Sequence, residues 1–221
     1  DDFYFHDVDF TKPILDGPTH HGFDEYFGVT GNTEDPLDTE PRVLIRNDRF
    51  TFTDRSRMKL IGMKNREGRI LAAPDWNLRN LGPLYLREAE SFIDRQSKQA
   101  DEPFFLYYVP NANHFQRNPD GDYAVPDGIA GTPIKGQSRY SDAAKAGDRE
   151  DMVLENDVAF GKLIERLKTT DDPRWPGHRL IENTLVIFTS DNGPNVGDNL
   201  GHNQESGGLR GKKAKLWEGG I

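Results

Sequence analysis

One stretch narrows the folds open to this chain: Leu185-Val186-Ile187-Phe188-Thr189, running directly into Ser190-Asp191-Asn192-Gly193-Pro194. β-Branched and aromatic residues suit a short buried strand. The five that follow all favour turns, so the strand must stop there. A run with no polar alternation predicts a strand covered on both faces, as in a parallel sheet. Open α/β sheets take their ligands beyond the carboxyl ends of such strands. A carboxylate and a carboxamide delivered there are hard oxygen donors, suited to Ca²⁺ or Mg²⁺ rather than to a soft metal. Taken alone, Asp191-Asn192-Gly193 reads equally well as an Asx turn.

A second apolar run, Pro103-Phe104-Phe105-Leu106-Tyr107-Tyr108-Val109, ends in Pro110-Asn111-Ala112-Asn113-His114 and places that histidine at a strand's carboxyl end. A helix is predicted ahead of it from Pro83 to about Lys98, with Leu86, Ala89 and Ile93 on its apolar face. Another, capped by Asp148, is predicted to run to about Lys168 with Leu154, Val158, Gly161, Ile164 and Leu167 on one face. Helix followed by strand, twice, is the rhythm of a layered α/β sheet.

Between these elements, residues 42–53 read as a hairpin turning at Asn47-Asp48. Residues 54–81 read as loop anchored by Trp76, and 115–147 as a long polar loop that shapes substrate access. Asp1, Asp2, Asp7, Asp9 and His6 lack ordered spacing and read as a solvated acidic loop; His20 and His21 read as packed or surface residues.

Composition removes several classes of function. A net charge of -9 argues against a nucleic-acid partner, whose phosphates need clustered Lys and Arg. No apolar run approaches the length of a membrane span. The absence of Cys excludes disulfides, thiolate zinc sites and a cysteine nucleophile within these residues. The 22 Gly and 14 Pro in 221 residues imply much loop.

After the Asp191 turn comes Gly207-Gly208-Leu209-Arg210-Gly211-Lys212-Lys213-Ala214-Lys215-Leu216-Trp217-Glu218-Gly219-Gly220. A strand ending Thr-Ser-Asp-Asn-Gly-Pro, then Leu-Arg-Gly-x-Lys-x-x-x-Trp-Glu-Gly-Gly, resembles the carboxyl-terminal signature of the type I sulfatases. Gly22-Phe23-Asp24 through Gly28, the Pro103–Tyr108 run before His114, and Asp157 with Gly161 match the family in order. These proteins are calcium-dependent sulfuric ester hydrolases with an alkaline-phosphatase-like fold. The resemblance therefore implies an α/β sheet with helices on both faces, incomplete here, with Gly161 packed closely against it.

The resemblance also implies roles. Asp191 and Asn192 become metal ligands for Ca²⁺, or Mg²⁺. Lys213, five residues before Glu218, and His114 become catalytic residues acting on the sulfuryl group. Arg210 is assigned to substrate or to an internal carboxylate, and His202 to the substrate pocket, while Lys212 and Lys215 are read as solvated. The family's His-x-Pro is replaced by His114-Phe115-Gln116, which alters the loop there. The family's first-strand Asp pair is not carried onto Asp1 and Asp2. Its formylglycine nucleophile arises in Cys/Ser-x-Pro-x-Arg, and no such motif occurs in these residues. That motif and Gly-Lys-x-His are expected upstream of Asp1, and further sequence beyond Ile221. Residues 1–221 are thus expected to form part of a catalytic domain, inactive alone. Sulfated small molecules or glycans are the expected substrates, in a periplasmic, secreted or lysosomal-type setting. The alternatives are a phosphodiesterase or phosphonate ester hydrolase of the same superfamily, or a non-catalytic sulfatase-like binding domain.

Overall fold

The computed structural model describes residues 8–29, 31, 41–63, 66–112, 114, 124–138, 147–194 and 209–220. Helix α1 spans Leu81–Gln96 with Pro83 in its first turn, where the missing N–H has no intrahelical partner to lose. A 3₁₀ turn, Leu78–Asn80, leads into it, and the Asn77 side chain caps that turn by accepting from the Arg79 amide at 3.0 Å. Leu86, Ala89 and Ile93 are buried, as their spacing requires.

Helix α2 spans Gly147–Thr169, so Asp148 lies inside its first turn rather than at its cap. Its buried stripe is Met152, Glu155, Ala159, Leu163 and Leu167, which shares only Leu167 with the predicted face. Leu154, Val158 and Ile164 are half-buried along the flank. Gly161 is exposed, and a Cβ there would meet nothing within 4 Å, so the close packing expected at this glycine does not occur among the described residues. A glycine is demanded by a near neighbour, and here the space is open.

Strands β2 (Ile45–Arg46) and β3 (Arg49–Phe50) form the predicted hairpin, with β1 (Phe27–Gly28) as an antiparallel third strand. Asn47 takes φ 57°, the left-handed conformation that Asn tolerates better than most residues. Two further hairpins replace predicted loop. β4 (Lys59–Met63) pairs with β5 (Arg66–Ala72) through an irregularity between Ile61 and Met63. β6 (Gly128–Ile129) pairs with β7 (Thr132–Pro133) across Ala130 and Gly131, both at positive φ, as a two-residue hairpin loop requires.

The chain divides into two compact units, 1–88 with 109–124, and 89–108 with 125–221. In the first, Phe10, Val43, Leu71 and Ala73 form one core cluster, and Leu78, Leu81 and Ala124 another, with Trp76 packed on it as its anchoring role required. In the second, α2 packs against β6 and against a 3₁₀ turn at Leu180–Asn183. The link from α2 to that turn is held by buried Asp172, which accepts from the Arg174 amide at 2.9 Å and the Asn183 side chain at 3.1 Å.

The large sheet with helices on both faces is not formed among the described residues. The sheets there are the three small antiparallel ones, and neither 103–109 nor 185–190 belongs to any of them. From 103 to 109 burial still alternates with period two: Phe104, Leu106 and Tyr108 are half-buried, while Phe105, Tyr107 and Val109 are exposed. Phe104 meets Phe92 of α1 edge-on at 5.7 Å, which accounts for the covered side. Phe188 likewise meets Phe160 of α2 at 5.1 Å, yet stays 75% exposed. Each run has the apolar sequence of a central strand and lacks a ladder partner among the described residues, without which the backbone is no strand.

Candidate functional site

The Asp191 turn and the glycine-rich 209–220 segment fold onto each other. The Lys213 amide donates to the Pro194 carbonyl at 2.9 Å. A Cβ on Gly193 would collide with the Gly219 carbonyl oxygen, and one on Gly220 with the carbonyl oxygens of Lys212 and Lys215. Only glycine allows backbones this close. Eighteen residues of sequence separate Pro194 from Lys213, and the fold removes that separation.

The 209–220 segment is itself a closed loop. The Gly219 amide donates to the Arg210 carbonyl at 2.8 Å, and the Arg210 amide to Glu218 Oε1 at 3.2 Å. The Arg210 guanidinium lies 3.6 Å from the Trp217 ring centroid and 3.7 Å from Glu218 Oε2. Gly211 makes the bend beneath Trp217 at φ 102°, and Ala214 turns the tip at φ 66°, where the Lys215 amide donates to the Lys212 carbonyl at 2.9 Å. Lys213 and Lys215 are exposed at this tip. Lys212 is half-buried rather than solvated.

Asp191 is exposed, and its carboxylate engages none of the described residues. Asn192 is half-buried and donates from Nδ2 to the Gly193 carbonyl at 2.9 Å, which leaves Oδ1 as the acceptor it offers. Ser190 Oγ donates to the Asn192 carbonyl at 2.9 Å and steadies the turn. These donors fit a hard cation by type, but a Ca²⁺ shell takes about six to eight oxygens. No group of three metal-binding side chains assembles among the described residues.

His114 belongs to the first unit, where it stands exposed two residues beyond buried Ala112. His202 lies outside the described residues, as do Asp1, Asp2 and His6. Sequence reasoning left Arg210 open between substrate and an internal carboxylate, and Glu218 is the carboxylate beside it. It missed Trp217 as a partner, although Arg and Trp seven residues apart across a Gly-rich segment carry the signal for a closed loop.

It also missed a buried acidic group. Glu155 is 3% exposed, and burial pushes its carboxyl up to about 8. The neighbouring Tyr108 hydroxyl is buried without a hydrogen-bond partner among the described residues and is pushed upward by burial first, then by the charges of Glu155 and Glu90.

A family model described as Sulfatase matches residues 6–221. N-acetylgalactosamine-6-sulfatase of Canis lupus familiaris is 30% identical over 220 residues, which cover 92% of this chain and 35% of that protein. Arylsulfatase A of Homo sapiens is 31% identical over 150 residues, covering 68% and 24%. N-acetylgalactosamine-6-O-sulfatase of Bacteroides thetaiotaomicron is 28% identical over 154 residues, covering 66% and 25%. The chain therefore spans about a quarter to a third of the length of the curated relatives it matches. No solved structure matches it.

Proposed function

Because this chain belongs to the sulfatase family, we propose that it is part of a sulfuric ester hydrolase and carries one side of the sulfate-handling site. The observation behind this reading is the hydrogen bond from the Lys213 amide to Pro194, which joins the Asp-Asn-Gly-Pro turn to the lysine loop. The family's α/β fold accounts for the two runs with strand patterning, 103–109 and 185–190, as strands of a larger sheet.

Sulfate ester cleavage needs charge stabilisation on the sulfuryl oxygens and a proton for the leaving alcohol. Lys213 is an exposed ammonium on a braced backbone, and it is assigned a sulfuryl oxygen as a compact point charge. Asp191 and Asn192 Oδ1 would hold a divalent cation, Ca²⁺ or Mg²⁺, completed by ligands from outside this pair. Such an ion supplies Lewis-acid stabilisation of the sulfuryl group when bound. His114 is assigned a hydrogen-bond-donor role toward the ester on the resemblance alone, and so is His202 a place in the substrate pocket. The nucleophile comes from outside these residues, which lack Cys/Ser-x-Pro-x-Arg. Sulfated small molecules or glycans are the substrate class; the relatives named for N-acetylgalactosamine-6-sulfate favour a sulfated sugar.

The test uses the complete protein with 4-nitrophenyl sulfate and bis(4-nitrophenyl) phosphate. Turnover of the sulfate should dominate, and Asp191→Ala should weaken calcium binding in calorimetry without unfolding the protein. Preference for the phosphodiester would move the chain to the alternative hydrolase class. Absence of both activities would favour a binding domain.

A further inference from the structure

Building on the role proposed for Lys213, we infer that Arg210, Trp217 and Glu218 form a clamp that positions this lysine. None of the three needs to touch substrate.

The loop from Arg210 to Gly219 is closed at its base by two hydrogen bonds, both using the Arg210 backbone: Gly219 amide to Arg210 carbonyl, and Arg210 amide to Glu218. The guanidinium then stacks on Trp217 and faces the second oxygen of Glu218. One arginine thus ties both ends of the loop, by backbone and by side chain. At the tip, the only restraint on the Lys213 backbone among the described hydrogen bonds is the one to Pro194. Lys213 itself is exposed, so its ammonium position is set by where the loop holds its Cα and not by side-chain packing.

The clamp residues are about half exposed or more, which makes them poor candidates for a core role: Trp217 retains 48% of its surface, and Leu216 beside it 96%. A guanidinium already stacked and ion-paired is also a costly substrate ligand, because binding an ester there would break both contacts. A planar fork is required for this double duty, and lysine cannot replace it.

The experiment is a double-mutant cycle in the complete enzyme, read by kcat/KM on 4-nitrophenyl sulfate and by the inhibition constant of inorganic sulfate. Arg210→Lys and Glu218→Gln should each lower kcat/KM by about tenfold and up to a hundredfold, as expected when a catalytic group is displaced by a fraction of an ångström to one ångström. Both should weaken sulfate inhibition alongside. In a Lys213→Ala background the same substitutions should cost less than about twofold, because there is no longer an ammonium to position. Trp217→Tyr should keep most of the activity that Trp217→Ala loses, and this pair serves if Arg210→Lys does not fold. Equal losses in both backgrounds would make the clamp merely structural and overturn the inference. Full activity in Lys213→Ala alone would instead sink the role proposed for Lys213, and the clamp would have nothing to position.

Discussion

Glu155 is a residue whose chemistry is set by where the helix puts it. Its carboxyl is buried on α2 near Tyr108, and removal from water is the cause of its upward shift to about 8. An unfolded chain ionises the same group near 4.5. The folded state therefore holds the extra proton between these values. Its contribution to stability is full below about pH 4.5 and is lost as pH rises through about 8. In the complete protein, the urea midpoint should fall between pH 5 and pH 8, and Glu155→Gln should flatten part of that fall. An unchanged pH dependence in the variant would show that Glu155 is solvated. The sequence could not announce this group, because a glutamate between apolar positions reads as the wet side of a helix until neighbours cover it. Asp191, Asn192 and Lys213 could be singled out for the opposite reason. Their types and spacings match the family's pattern before any packing is known. The need for glycine at 193 was not legible, since it depends on the Gly219 carbonyl arriving from elsewhere.

Among elements, the long loop predicted over 115–147 contains a small anchored structure. Asp151 on α2 is 1% exposed, and its two oxygens accept from the Gly136 amide at 2.6 Å and the Ser138 amide at 2.8 Å. These bonds hold the turn that follows the β6–β7 hairpin against the helix. Asp151→Ala would strand two amide donors and should cost about 2–4 kcal/mol, since hydrogen bonds to charged groups rank among the stronger ones. Asp151→Asn, which keeps one good acceptor, should cost less. Denaturant midpoints of the two variants check the order, and equal losses would mean that the one neutral acceptor kept by Asn does not hold the turn. Both missed hairpins were hard to read for one physical reason. β6 and β7 are two residues each, and β4–β5 carries charged and small residues among its apolar ones, so no clean alternation was available. α1 was legible because sixteen residues give its period room to repeat.

For the whole molecule, the runs 103–109 and 185–190 decide how these residues behave alone. Both are expected from sequence to be buried strands, and neither pairs in a sheet among the described residues, because a sequence specifies a strand's side-chain pattern while its ladder depends on a neighbour. Phe105, Tyr107, Leu185 and Ile187 are each at least 70% exposed, in runs that belong to no sheet among the described residues. Contiguous exposed apolar surface of this kind draws in other chains or remains loosely packed. Residues 1–221 expressed by themselves should therefore bind the dye ANS strongly, melt over a broad range without a cooperative step, and hydrolyse no aryl sulfate. Charged substitutions at Phe105 and Ile187 test the cause. If the exposed faces are responsible, Phe105→Lys with Ile187→Lys should reduce dye binding and association in the isolated chain, and should disable the complete protein, where these faces are expected to be covered. A sharp melt with little dye uptake by the unmodified chain would mean that the two runs find partners within these residues, and that the open faces do not persist in solution.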